Sequence, residues 1–387
     1  MPDALRRARF SVAATFGIHG FVSGSWATRI PALKDDLALD DGDLGIALTG
    51  LAVGLFLGTR LTGRPVGRAG TRIPIRVVLP LMCVSLIGPA LATNLAGLTV
   101  AFAFLGLWSG FLDVVMNLNA VVVERDYRRP IMSGLHGMWS GGLLAGSSVG
   151  ALAAALGGGV QVHFGAVALV LAPLAVVTTR GLLVTGSDGE PSAAGGGSGA
   201  RDALRVAPVL LLGGIAFSSF SAEGAAADWS AVYVHETVGA GQGVAGLAFT
   251  AFSLGMIASR FAADALSARF GPVFVVRAGA LLAAGGLTLA LVVPSRPTGI
   301  VGFLLFGIGL APIVPITFSA AGGDGRDRRG LSWVVTIAYV GAVTGPAVIG
   351  FTADTLSLRA ALGFPVLLAL TASALAFAVA SAPGGRR

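Results

Sequence analysis

Residues 97–122 read GLTVAFAFLGLWSGFLDVVMNLNAVV, an apolar run interrupted by one ionisable side chain, Asp113. The run exceeds the ~20 residues with which an α-helix crosses the hydrocarbon of a bilayer. A helix apolar on every side has no face to offer water, so the stretch reads as a membrane span. Working outward, comparable runs bounded by charge, Gly or Pro lie at 10–31, 44–62, 73–93, 131–156 and 160–179. A second set of six follows at 207–234, 244–262, 272–293, 298–320, 331–352 and 358–381. The composition agrees: of 387 residues 55% are hydrophobic and 12% charged, against about 25% charged in soluble domains.

Between the two sets, residues 180–206 carry Gly-Ser-Asp-Gly-Glu-Pro-Ser and Ala-Ala-Gly-Gly-Gly-Ser-Gly, the composition of a flexible linker. The expected organisation is therefore a six-helix bundle over 1–179, a cytoplasmic linker over 180–206 and a second six-helix bundle over 207–387. The fold class is an all-α integral membrane protein whose twelve transmembrane helices form two pseudo-symmetric bundles. The first run follows Arg6, Arg7 and Arg9 as a signal peptide would, but it continues to Trp26 without an Ala-x-Ala-like cleavage site, so it reads as the first span.

The formal net charge of +7 does not point to nucleic acid, because the basic residues sit in short loops between apolar runs and not as a patch on a polar fold. With the N-terminus inside, every Lys and Arg except Arg29, Lys34, Arg296 and Arg359 falls on the inner side, and Asp35, Asp36, Asp40, Asp41 and Asp43 crowd the first outer loop. That asymmetry leads to the expectation that the chain lies in the cytoplasmic membrane with both termini in the cytoplasm. Cys83 is the sole cysteine and so forms no intrachain disulfide. His19, His136, His163 and His235 show no zinc spacing, and no Gly-rich phosphate loop with a following Lys is present. No metal, no cofactor and no enzymatic activity are expected, and an ATP-driven pump would need a nucleotide-binding domain that the chain does not offer. A pore would need a ring of charges that one acid per half does not supply.

Sliding the chain on itself by about 200 residues aligns Trp26 with Trp229, Arg60 with Arg260, Gly141 with Gly341 and Gly150 with Gly350. Two parallel repeats of six spans place a substrate path between the halves.

After the second span the sequence reads Gly63-Arg64-Pro65-Val66-Gly67-Arg68-Ala69-Gly70-Thr71-Arg72. It resembles the loop 2-3 signature of the major facilitator superfamily, Gly-x-x-x-Asp-Arg-x-Gly-Arg-Arg. Gly63, Arg68, Gly70 and Arg72 fit, while Gly67 replaces the Asp. The second half offers Arg260, Asp264, Arg269 and Gly271 at the matching place. Further phrases are Ser25-Trp26-Ala27-Thr28-Arg29-Ile30-Pro31, Asp113-Val-Val-Met-Asn117, Arg129-Pro130-Ile-Met132-Ser133-Gly-Leu-His136 and Ala227-Asp228-Trp229-Ser230-Ala-Val-Tyr233. They are similar to the MosC/YbjJ-like group of bacterial transporters, near the fucose-permease-like branch. The resemblance implies cytoplasmic gate loops at Gly63, Arg68, Gly70, Arg72, Arg260, Asp264 and Arg269. It implies also that Asp113, four residues before Asn117, takes part in proton coupling.

Ionisable groups inside a span cost ~2.5–3.5 kcal/mol on insertion scales and mark functional paths. Asp113 lies roughly 16 Å from the inner end of its helix at 1.5 Å per residue. Ser109, Asp113 and Asn117 share its face, which should line a cavity, and a purely structural buried Asp is the other reading. His19 is near the midplane of the first span on one face with Ser23 and Trp26, as a proton shuttle or an interhelical hydrogen bond. His136 either lines an inner vestibule or ties its span to the inner loop. Glu223, on a face with Ser219 and Ser230, is the second coupling candidate. Asp228 lies about 140° further round that helix and is expected as an interfacial or capping group. Trp26 and Trp229 stack on a sugar-like ligand or belong to an interfacial belt. Gly341 and Gly345 permit close helix contact, and Pro312 and Pro315 should bend the tenth span.

The expected function is secondary active transport of a small polar solute, sugar-like or a related metabolite, by proton-coupled alternating access. Export of drugs or metabolites, and a non-transporting receptor on the same fold, are the alternatives. Substrate, protons and the lipid bilayer are the expected partners, and a monomer suffices because one chain contains both halves.

Overall fold

The structure, a computed structural model, describes residues 3–127, 131–183, 206–322 and 328–381. Among these, every regular element is helical. Most of the expected linker, residues 184–205, lies outside the described residues. The chain divides into two compact units, Met1–Ala193 with Gly241–Gly246, and Ala194–Ala240 with Leu247–Arg387.

The first unit contains α1 (Asp3–Ala27), α2 (Ile30–Asp36), α3 (Asp41–Arg60), α4 (Gly63–Ala69), α5 (Arg72–Ser85), α6 (Ile87–Leu91), α7 (Leu95–Tyr127), α8 (Met132–Ala155) and α9 (Val160–Thr178). The second contains α10 (Val206–Glu236), most of α11 (Gln242–Phe270), α12 (Pro272–Val292), α13 (Arg296–Leu310), α14 (Ile313–Gly322), α15 (Arg328–Thr355), α16 (Leu358–Ala361) and α17 (Gly363–Leu375). Several expected spans are broken: the third between α5 and α6, and the tenth at Ala311–Pro312, between α13 and α14. Proline removes a helical N–H and cannot continue the ladder, which accounts for the second break.

Eleven helical stretches among the described residues are long and apolar enough to cross a membrane. α1 completes the twelve, although it falls below the hydropathy of the others because it carries Ser11, Thr15, His19 and Ser25. All four are buried against neighbouring helices. The outside shows the converse: Phe104, Leu169, Val170, Phe261 and Phe377 are exposed. Sheltering the polar groups of a span among its neighbours and showing apolar side chains outside suits a lipid solvent.

Inside the first unit α1 packs on α8, α3 on α7, and α5 on both α7 and α9. The second unit repeats the scheme, with α10 on α15, α12 on α13 and α17, and α11 on α13 through Gly255 and Gly307. The turn following α4 holds Gly70 at φ 65°, and the turn before α12 holds Gly271 at φ 82°. Both lie where L side chains are strained. The repeat inferred from sequence is thus written into the backbone. The expected gate loop at 63–72 is corrected in one respect: Gly63–Ala69 are helical, and only Gly70 and Thr71 form the turn into α5. Arg260 and Arg269 likewise belong to helix α11.

Glycine sets the helix spacing. A Cβ on Gly20 would lie 2.0 Å from the Trp139 carbonyl oxygen, one on Gly24 2.1 Å from that of Leu143, one on Gly142 2.0 Å from that of Gly17 and one on Gly146 2.1 Å from that of Phe21. The α1 and α8 backbones therefore touch, as membrane helices with small residues at four-residue spacing do. Gly341 gives α15 the same approach to α10. Gly20→Ala should lower the stability of the detergent-solubilised protein by about 1–3 kcal/mol through overpacking, read as an earlier thermal midpoint. Gly141→Ala, where nothing lies within 4 Å of the added Cβ, should leave the midpoint unchanged.

Candidate functional site

Because α1 and α8 are in backbone contact, the side chain of Trp139 on α8 reaches across to His19 on α1. The indole Nε1–H donates to His19 Nδ1 at 2.6 Å. An indole nitrogen only donates, so His19 Nδ1 accepts and the ring stands in its neutral Nε2–H form. Nε2–H in turn points at α7, with Ser109 Oγ at 2.9 Å and the Ser109 carbonyl oxygen at 3.3 Å. A protonated ring would carry N–H on both nitrogens, and the Trp139 bond would have to break. Three helices are joined by one imidazole, of which the sequence placed Ser109 and His19 but not Trp139. Ser23 donates to the His19 carbonyl oxygen one turn along α1, so its hydroxyl is occupied locally.

One turn along α7 from Ser109 stands Asp113, half-buried. Asn117 Nδ2 donates to the Asp113 carbonyl oxygen at 2.8 Å and to its Oδ1 at 3.3 Å. No ion pair to Asp113 occurs among the described residues. His19, Ser109, Asp113 and Asn117 thus form a continuous polar stripe within the first unit. A second tie on α7, absent from the sequence reading, is Asn119, fully buried, whose Nδ2 donates to Thr71 Oγ1 at 2.7 Å in the turn before α5. An Asn within an apolar run was its available signal.

His136 is exposed and sets its ring edge-on to Phe16 of α1, centroids 5.3 Å apart. Trp26 is buried edge-on to Phe102 of α7. Trp229 is wholly enclosed on α10. Neither indole presents a stacking platform in this structure.

In the second unit Glu223 is half-buried on α10, and the Arg260 charge on α11 reaches it. Ser219 and Ser230 are fully buried, and their hydroxyls lack partners among the described residues. Of the two readings of Asp228, interfacial or capping, the cap is corrected: α10 continues to Glu236, and Asp228 lies within the helix, 6% exposed. Of the expected gate residues, Arg269 lies over the Phe270 ring, Arg72 keeps a buried Nε without a partner among the described residues, and Gly63 and Arg68 lie on α4. The Asp264 side chain lies outside what the structure describes. Among the described residues no group of His, Cys, Asp and Glu has the makings of a metal site.

Breaking the imidazole bridge should be visible without any substrate. Trp139→Phe and His19→Gln should each destabilise the protein, and the double variant should fall short of their sum by about 0.5–2 kcal/mol, the coupling of an interhelical hydrogen bond. Unfolding in detergent by a double-mutant cycle measures it; strict additivity would mean the bond does not form.

The sequence matches the family model described as Major Facilitator Superfamily over residues 12–321 and 211–387. A transporter of Yersinia pestis described as uncharacterised and MFS-type is 32% identical over 374 residues, covering 95% of each chain. The membrane protein MosC of Rhizobium meliloti is 32% identical over 359 residues, 92% of this chain and 86% of its own. Among solved structures, a mutant of the nucleoside transporter NupG superposes with a TM-score of 0.76 at 12% identity, over 97% of this chain and all of its own. A bacterial homologue of the human lysosomal transporter Spinster does so with a TM-score of 0.72 at 15% identity, over 99% of this chain and 98% of its own. At such identities the structures speak to fold alone.

Proposed function

The chain belongs to the Major Facilitator Superfamily of membrane transporters, and on that premise we propose that it moves a small polar solute across the cytoplasmic membrane by alternating access, coupled to a proton carried by Asp113. The observation behind this reading is the state of that carboxyl: half-buried on a spanning helix, with Asn117 as its hydrogen-bond partner and no cation in ion-pair range among the described residues. A charged carboxylate inside a span is costly, by ~2.5–3.5 kcal/mol on insertion scales. Protonation removes that charge, so the protein reorients with the proton on Asp113 and releases it where water reaches the stripe. Glu223, half-buried on α10 with the Arg260 charge within electrostatic reach, is the second candidate.

The stripe also favours a solute class. Ser109 Oγ accepts from His19 and keeps its own proton to donate, while Asn117 donates to Asp113 and keeps its amide oxygen to accept. A wall of alternating donors and acceptors pairs best with hydroxyl groups, which do both. Sugars, polyols and inositol-like compounds fit that description. His19 is the positioning residue that orients Ser109, and the Trp139 bond keeps it neutral while it does so. One chain contains both bundles, so a monomer suffices.

A thermal-shift screen of sugars, polyols, amino acids and cationic drugs identifies the ligand, since a ligand of the folded state raises the midpoint by mass action. In proteoliposomes loaded to be alkaline inside, uptake of that ligand should exceed equilibrium, and Asp113→Asn should abolish accumulation while sparing exchange. Undiminished uphill transport by Asp113→Asn would sink the proton role. Shifts by lipophilic cations alone would turn the reading towards export.

A further inference from the structure

At the end of the first unit opposite the N-terminus of α1, the chain leaves α1 through Thr28 and Arg29 and packs beside the start of α9. Arg29 is 2% exposed. Its Nη2 donates to the Gly158 carbonyl oxygen at 2.7 Å, and its Nε and Nη1 have no hydrogen-bond partner among the described residues. No carboxylate forms an ion pair with it among the described residues, and Asp36, exposed on α2, acts on it only at longer range. His163, 5% exposed in the first turn of α9, has neither ring nitrogen bonded among the described residues, and the Arg29 charge reaches the ring. Gly150 of α8 brings the parts together: a Cβ there would lie 2.0 Å from Thr28 Oγ1 and 3.3 Å from His163 Cε1. The guanidinium points at the residue before Gly159, which caps α9 without a side chain. The guanidinium thus lies at the end of α9 that carries its first-turn N–H groups and the positive end of its dipole.

A buried cation without a counter-charge is expensive, and buried polar atoms are normally bonded. Here a guanidinium, an imidazole and a helix N-terminus converge with donors unspent. We propose that Arg29, His163 and the start of α9 form a binding site for one small monoanion, either a free halide or the carboxylate of an organic solute. One negative charge balances Arg29, with His163 supplying a neutral N–H to the same ligand. A dianion would leave excess charge in a buried setting, so the site selects against sulfate. This site is separate from the His19–Asp113 stripe, and its occupancy does not depend on whether Asp113 carries protons.

The test uses the full-length protein in detergent, with chloride as the probe, by the excess linewidth of the chloride-35 resonance at an ionic strength held constant with sulfate. The expected result is saturable excess broadening that bromide displaces and sulfate does not. Displacement by formate or acetate as well identifies a carboxylate-accepting site, whereas displacement by bromide alone identifies an inorganic halide site. Arg29→Gln should weaken binding by roughly tenfold or more, as loss of a charge-assisted hydrogen bond does, while Arg29→Lys should retain much of it. If Arg29→Gln does not fold, His163→Leu, which keeps the cation, should still weaken binding several-fold. Absence of excess broadening in the wild-type protein, or broadening unchanged in a folded Arg29→Gln or His163→Leu variant, would overturn the proposal.

Discussion

Backbone contact between α1 and α8 is the constraint on which the candidate site rests. Lipid gives helices little hydrophobic reason to associate, so packing and interhelical hydrogen bonds hold a bundle together. Gly20, Gly24, Gly142 and Gly146 remove the side chains that would hold the two helices apart. Only at that separation does the Trp139 indole reach His19 Nδ1, and only with Nδ1 so occupied does Nε2–H turn to Ser109 on α7. Side-chain geometry at mid-helix therefore follows from which residues have no side chain at all. Gly150 performs the same service further along, where Thr28 and His163 approach.

Much of the architecture was legible because hydropathy and spacing are local properties. Twelve runs, the six-and-six layout and the turn glycines Gly70 and Gly271 can be read without knowing any contact. The alignment of Ser109, Asp113 and Asn117 was legible for the same reason, since a four-residue repeat on one helix needs no partner. Helix breaks were legible where proline made them, at Pro312, and not where α5 gives way to α6, for the bend there begins at Leu86, before Pro89.

What the sequence withheld were relations between helices. That Trp139 and not some other donor meets His19 depends on the crossing of α1 and α8. That Asn119 binds Thr71 depends on how α7 lies against the turn before α5. Trp26 and Trp229 were weighed as ligand platforms or belt residues because tryptophan at a span's end suits both, yet each is packed inside its unit. Asp228 was expected as an interfacial or capping group because it lies near the outer end of the run at 207–234, yet it is buried inside α10. Which face of a helix its neighbours cover is not written in hydropathy.

The polar seam of α1 has a consequence for how the protein is made. Its serines, threonine and histidine are satisfied or sheltered by α7, α8 and α9, all of which follow it in the chain. To a bilayer alone, α1 is the least rewarding of the spans to dissolve, and its closest partner is synthesised more than a hundred residues later. Residence of the first helix in the membrane is thus secured retroactively, by neighbours that did not exist when it emerged.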